Sequence, residues 1–188
     1  MEFNDVIRQR KSCRQFYSKP VYKKQIINLI DAARLAPSCE NRQPWHYIVL
    51  EKEMKNNIAD IMEKDLKLKD ILEFNKPTLE DVAVASLANS IRIIREAPIL
   101  ILVFREPDEI WKDGDMLSIG CSIENLHLAA TDQGLGSIII RDVIYKKSRI
   151  TKELDIHNME LITGIAVGYS IEIRKPTPKK DIKEVIKW

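Results

Sequence analysis

Apolar runs long enough to enter a bilayer are missing from this sequence. A membrane helix needs ~18 mostly apolar residues, and the stretch Ala97–Phe104 falls far short. Cysteine is scarce: Cys13, Cys39 and Cys121 lie far apart and are odd in number. That pattern excludes a disulfide framework and a CxxC metal knuckle, and it fits a reducing compartment. Histidine is scarcer still in chemical terms, because His46, His127 and His157 form no pair at helical spacing, so no metal site is expected. Aromatic residues make up 6% and none clusters with the basic stretches, which argues against a nucleic-acid module. Charge of one sign is lacking too, with 30 Lys and Arg against 28 Asp and Glu. The beginning of the chain carries Arg8, Arg10, Lys11 and Arg14 without an apolar block. No secretory leader and no membrane contact are expected, and the expected location is the cytoplasm.

What is present is an ordinary folding composition, 45% hydrophobic and 31% charged over 188 residues. A chain of this size buries roughly 70% of its unfolded surface in one core, so residues 1–188 are expected to form a single domain. Residues 4–11 read as a short helix with Asn4 as its cap. A stronger helix runs from about Tyr22 to Ala36, where Ile26, Leu29, Ile30 and Ala33 recur on one face. Pro37 ends it, because a residue before proline leaves the α region. Trp45–Leu50 reads as a strand with Trp45 in the core. Residues 53–73 and 79–96 read as charged helices broken at Pro77, the best candidate for a lid. Ile99–Phe104 is a buried strand. Residues 113–133 form a buried helix, with Asp113 and Asp115 as charges at its N-terminal end. Gly134 is its left-handed cap. Ile138–Ile140 is a strand, 148–154 a helix capped by Ser148, and Leu161–Tyr169 the last strand. Helices first, then strands separated by helices, give an α+β sandwich around one sheet. The tail ends in Val185, Ile186 and Trp188 and is expected to pack on its own subunit or on a partner.

The usual catalytic motifs are absent. Gly134-Leu135-Gly136 follows a helix and precedes a strand, the reverse of a dinucleotide-binding turn. Gly114–Gly120 lacks the Lys-Ser/Thr of a phosphate loop, and no serine sits in a GxSxG elbow. His127 lies inside a buried helix and reads as a hydrogen-bonded core residue. Cys39 reads as a small loop residue.

Two segments stand out. Arg10-Lys11-Ser12-Cys13-Arg14 sets cations and a hydroxyl at a helix exit, a chemistry suited to phosphate oxygens. Residues 36–45, Ala-Pro-Ser-Cys-Glu-Asn-Arg-Gln-Pro-Trp, are pinned by two prolines. There Ser38, Asn41 and Gln43 can read the edge of a planar heterocycle. The Lys-rich stretch 175–183 is a second source of positive charge.

Together with Ala97-Pro98, Gly134-Leu135-Gly136-Ser137 and Gly164-Ile165-Ala166-Val167-Gly168-Tyr169, these segments resemble the FMN-dependent nitroreductase family. The resemblance spans nearly the whole chain. It implies a mostly antiparallel central sheet flanked by helices and an intertwined homodimer with a C-terminal extension. Two FMN molecules would lie between the subunits. It assigns flavin phosphate and ring contacts to Arg10, Lys11, Ser12 and Arg14. Pro37, Ser38, Cys39, Asn41 and Gln43 would reach the flavin from the second subunit. The backbone of Ile138, Ile139 and Ile140 would line the ring near N5, and Lys179 and Lys180 would neutralise the phosphate. No side chain is implied as catalytic, because the flavin carries the redox step. NADH or NADPH would reduce it, and a nitroaromatic, quinone or similar small acceptor would take the electrons in ping-pong turnover. Other flavin chemistry on the same scaffold (dehydrogenation, reductive dehalogenation, flavin cleavage) and a non-enzymatic flavin-binding dimer are the rival implications. This sequence departs from the pattern in its wholly aliphatic Ile138-Ile139-Ile140, in lysines at the basic pair, and in Cys39 where serine is common.

Overall fold

The computed structural model describes residues 1–64, 80–171 and 177–188. In chain order the helices are α1 (Phe3–Gln9), α2 (Lys23–Arg34), α3 (Lys52–Glu63), α4 (Glu80–Glu96), α5 (Lys112–Asp132), α6 (Lys147–Glu153) and α7 (Ile182–Val185). The strands are β1 (Trp45–Glu51), β2 (Ile99–Arg105), β3 (Gly136–Ile140) and β4 (Glu160–Gly168). They form one sheet in the order β1-β2-β4-β3, and every pairing is antiparallel.

The central strand β2 explains its own sequence. Leu100, Leu102 and Phe104 point into a core shared with α3 and α4, where they meet Ile58, Met62, Leu87 and Ile94. Ile99, Ile101 and Val103 point into a second core shared with α2 and α5, against Leu29, Ala33, Ile119 and Leu126. Both faces are covered, so the strand reads as a continuous apolar run rather than an alternating one. Apolar side chains that alternate between two covered faces make this sheet the organising layer of the α+β sandwich.

Helix α5 ends as its sequence implies. Gly134 has φ 70°, its N–H donates to Thr131 O at 3.0 Å, and the Leu135 N–H donates to Ala130 O at 2.8 Å. This paired closure needs a residue tolerant of positive φ, and glycine adopts it without a Cβ penalty. Two caps differ from expectation. Glu2, not Asn4, precedes α1, and it makes no side-chain capping bond. Lys146, not Ser148, precedes α6, because a 3-10 turn over Arg141–Lys146 feeds the helix directly. The charged helix expected over 53–73 is described as far as Glu63. The lid expectation and the break at Pro77 lie outside the described residues.

Facing glycines pin the start of the chain to the sheet. Gly136 and Gly168 are cross-strand partners. A Cβ on Gly136 would stand 2.7 Å from Cys13 Cβ, and one on Gly168 would stand 2.9 Å from Phe16 Cδ1 and 2.5 Å from Pro98 Cδ. The segment 12–17 therefore threads over a groove that only glycine leaves open. Its bridges are Ser12 to Ser137 and Phe16 to Ser170.

Candidate flavin-type site

The N-terminal basic segment and strand β3 are brought together. The Cys13 N–H donates to Ser137 O at 3.0 Å, and Cys13 is buried beside the strand. β3 is an edge strand, paired with β4 on one side only. Because Ser137 O faces the outer edge, strand alternation puts the Ile139 backbone on that edge too. The Ile139 side chain is 48% exposed, while Ile138 and Ile140 are buried. Arg10 Nε lies 3.5 Å from Glu124 Oε1 on α5. Arg14 turns its guanidinium back to Ser12 O at 3.4 Å, and Arg92 on α4 donates to Arg14 O at 3.3 Å. Among the described residues the Ser12 hydroxyl has no hydrogen-bond partner. Half-buried cations, a free hydroxyl and an open strand edge thus share one place.

Beneath them His127 on α5 is hydrogen-bonded through Nδ1 to Ser137 Oγ at 2.6 Å. Burial, and to a lesser degree the Arg10 charge, lower its pKa to about 4. It is a neutral core residue that ties α5 to β3, as the sequence implies.

The proline-pinned loop is built elsewhere on the same helix. α2 is fixed to α5 by Ser122 Oγ donating to Ala33 O at 2.8 Å and by Asn125 Nδ2 donating to Ala32 O at 3.2 Å. Tyr47 OH also pairs with Ser122 Oγ. These bonds deliver the chain into a 3-10 turn over Cys39–Asn41. There the Cys39 N–H donates to Ser118 Oγ at 3.1 Å, and the Gln43 N–H donates to Ser38 Oγ at 3.0 Å. Gln43 Nε2 donates to Asn41 Oδ1 at 3.2 Å. Pro37, Glu40, Asn41 and Gln43 are exposed, and Ser38 and Cys39 are half-buried. Gly114 packs closely under the loop: a Cβ there would stand 3.1 Å from Cys39 Cβ and 3.2 Å from its Sγ.

Within one chain the two segments stay apart. The loop sits at Gly114 and Ser118, whereas Arg10 sits at Glu124, ten residues along α5 from Gly114. Ten helical residues span roughly 15 Å. Lys179 and Lys180 are exposed in the segment before α7, whose Asp181 accepts from the Lys183 N–H at 2.9 Å. Contacts that would bring these lysines to either segment are absent among the described residues.

Asp115 lies in the first turn of α5, as the sequence implies, but its burial and its partners were not foreseen: it is fully buried. Its Oδ1 accepts from Arg42 Nε at 3.1 Å, and its Oδ2 lies 3.6 Å from Arg105 Nη1. Arg105, 1% exposed, also pairs with Glu160 at 2.8 Å. Arg42 reaches Asp108 at 3.1 Å and stacks 5.3 Å from the Trp111 ring. The only signal in the sequence was an arginine closing the apolar β2 run, which has to find an acid when buried.

A separate cavity of about 290 Å³ opens past the end of β3. Arg141, Lys112 and Lys147 line it together with Met116 and Ile144. Arg141 and Lys147 have no ionic partner among the described residues.

Comparison with known proteins agrees with this fold. The chain is 27% identical over 190 residues to a Bacillus subtilis (strain 168) protein provisionally named NAD(P)H nitroreductase YfhC, covering 94% of this chain and 90% of that one. It is 26% identical over 193 residues to the iodotyrosine deiodinase of Thermotoga neapolitana, covering 97% and 94%. Among solved structures, a BluB-like flavoprotein from Clostridium difficile 630 superposes with a TM-score of 0.86 at 26% identity, covering 100% of this chain and 99% of that one. The pattern described as the nitroreductase family matches residues 7–169. The chain belongs to the nitroreductase family.

Proposed function

We propose that this protein is an FMN-dependent oxidoreductase that uses NADH or NADPH to reduce small aromatic or quinone-like acceptors, and that it works as a homodimer in the cytoplasm. One observation carries the reading: Arg10, Ser12 and Arg14 lie alongside the edge of β3, where two cations, the Ser12 hydroxyl (unpartnered among the described residues) and the Ile139 backbone converge. When bound, FMN supplies the two-electron chemistry between nicotinamide and acceptor. The chain supplies the rest. Arg10 and Ser12 hold phosphate and ribityl oxygens. Arg14 and the Ile139 N–H donate to ring atoms that become electron-rich on reduction, where a fixed donor lowers the energy of the charged form. Lys11 adds positive charge, and Lys179 and Lys180 add a second basic pair at the phosphate.

The separation of the two segments supports the dimer. Pro37, Ser38, Cys39, Asn41 and Gln43 cannot reach their own subunit's Arg10 across roughly 15 Å of helix, but a second copy can present them. Exposed apolar surface points the same way: Phe3 and Ile7 on α1 and Leu117 on α5 lie open to solvent, and Leu117 is 74% exposed. Exposed apolar side chains of this size are candidates for burial against a second copy. The apolar tail (Ile182, Val185, Trp188) is likewise uncovered. A groove of about 540 Å³ between α2 and β1, lined by Val21, Ile26, Ile27 and Val49, suits such a tail from a second copy.

Whole-chain folding as the single domain 1–188 is part of this reading. A second reading, reductive dehalogenation, is favoured by the near full-length iodotyrosine deiodinase relative. Halide release from an iodophenol, measured beside nitro-group loss, separates the two. The primary test is FMN binding by apoprotein, followed through quenching of flavin fluorescence. Wild type binds, and Arg14→Ala and Lys179→Ala/Lys180→Ala bind more weakly. Unchanged affinity in all of them contradicts the assignment.

A further inference from the structure

Three residues of the proline-pinned turn hold left-handed backbone: Glu40 at φ 48°, Asn41 at φ 55° and Gln43 at φ 49°. None is glycine, and each such position costs free energy unless its surroundings enforce it. Local bonds supply part of the restraint, through Ser38 Oγ and Ser118 Oγ. The remaining restraint comes from Arg42, the residue between the strained positions. Its guanidinium is held by Asp115 and Asp108 and lies against Trp111. Asp115 is itself fully buried in the first turn of α5 and faces a second guanidinium, that of the buried Arg105, which Glu160 neutralises.

We infer that the buried Asp115 carboxylate is a positioning residue for the flavin-reading turn, holding Arg42 so that Ser38, Asn41 and Gln43 are presented in a strained, preset geometry. The inference rests on the proposed FMN site and adds a residue that does not touch the flavin. Its physical basis is preorganisation: strain is stored in the folded subunit, so the turn loses little freedom when it meets its ligand. A forked pair between the buried Asp115 carboxylate and the partly exposed Arg42 guanidinium suits the task, because a fork fixes direction as well as distance. Asp115 sits on α5, the same helix that carries Glu124 beside Arg10. One rigid element thereby sets both halves of the site, the near one and the one offered to a second copy.

The test uses the full-length protein and two readouts, amide hydrogen exchange of the turn in apoprotein and FMN affinity by fluorescence quenching. Asp115→Asn keeps shape and removes charge. Arg42→Lys keeps charge and removes the fork, and it serves if Asp115→Asn folds poorly. Both are expected to speed exchange at Cys39 and Gln43. Both are expected to weaken FMN on the order of tenfold, the scale of a lost preset geometry. Glu40→Gly, added to either, accepts positive φ without strain and is expected to recover most of the affinity without restoring the ion pair. A merely structural role for Asp115 predicts lower thermal stability, unchanged FMN affinity and no rescue by Glu40→Gly, and that result overturns the inference while leaving the FMN site intact. Failure of wild type to bind FMN overturns the proposed function and this inference together.

Discussion

Substituting Gly136 by alanine tests how the N-terminal basic segment is seated. The new Cβ would stand 2.7 Å from both Cβ and Sγ of Cys13, and 3.2 Å from Ser170 Cβ. Carbon contacts prefer ~3.5–4.0 Å, so Cys13 has to retreat by nearly ~1 Å. Cys13 cannot do so alone, because its N–H is bonded to Ser137 O and its neighbour Ser12 bridges the same strand. The displacement therefore passes to Ser12 and Arg14. Overpacking of this kind costs about 1–3 kcal/mol. If it is expressed at the site, FMN affinity falls by about 5- to 150-fold. Fluorescence quenching by apoprotein measures it, with thermal denaturation in parallel. Cys13→Gly removes both clashing atoms, so Cys13→Gly/Gly136→Ala is expected to recover part of the loss, giving a coupling energy above about 1 kcal/mol in a double-mutant cycle. Wild-type affinity and melting temperature in Gly136→Ala would refute the reasoning.

Other expectations follow from single contacts. His127 is neutral when folded, with its pKa lowered to about 4 by burial, against 6.5 in the unfolded chain. Below pH 6.5 the unfolded state binds the extra proton, so stability is full above that pH and falls as pH drops toward 4, by about 3 kcal/mol at most. His127→Gln is expected to flatten that acid limb in urea titrations. Lys55 is buried, and its Nζ donates to Ile94 O at 2.6 Å and Arg95 O at 2.9 Å, closing the end of α4. Lys55→Met leaves those carbonyls unpaired and is expected to cost about 1–3 kcal/mol in chemical denaturation.

The parts of the fold that were legible in the sequence were those decided by local rules. Periodicity gave α2 and α5, Pro37 gave the end of α2, and Gly134 gave the cap of α5, because each depends on residues within a turn of one another. His127 was legible because a polar residue on a buried face must find a partner. The resemblance implies that the basic segment of one copy and the proline-pinned loop of another share a site, whereas within one chain the two stay apart. What stayed hidden depended on distant contacts. Asp115 looks like any helix-end acid until Arg42 and Arg105, 73 and 10 residues away, are folded onto it. Gly136 and Gly168 stand in quoted motifs, but the crossing of Cys13 and Phe16 over them joins segments far apart in the sequence. The caps Asn4 and Ser148 were misread because side-chain propensity is weaker than the path of the preceding chain.

The account stands on electrons passing through a flavin held between two copies of this chain. Anaerobic titration of FMN-loaded protein with NADH and with NADPH, followed by absorbance near the flavin band and by light scattering, tests it most directly. The account predicts a yellow dimer that one or both nucleotides bleach stoichiometrically and that a nitroaromatic or quinone restores. A protein that stays monomeric and takes up no flavin, or a yellow dimer that neither nucleotide bleaches, would contradict it.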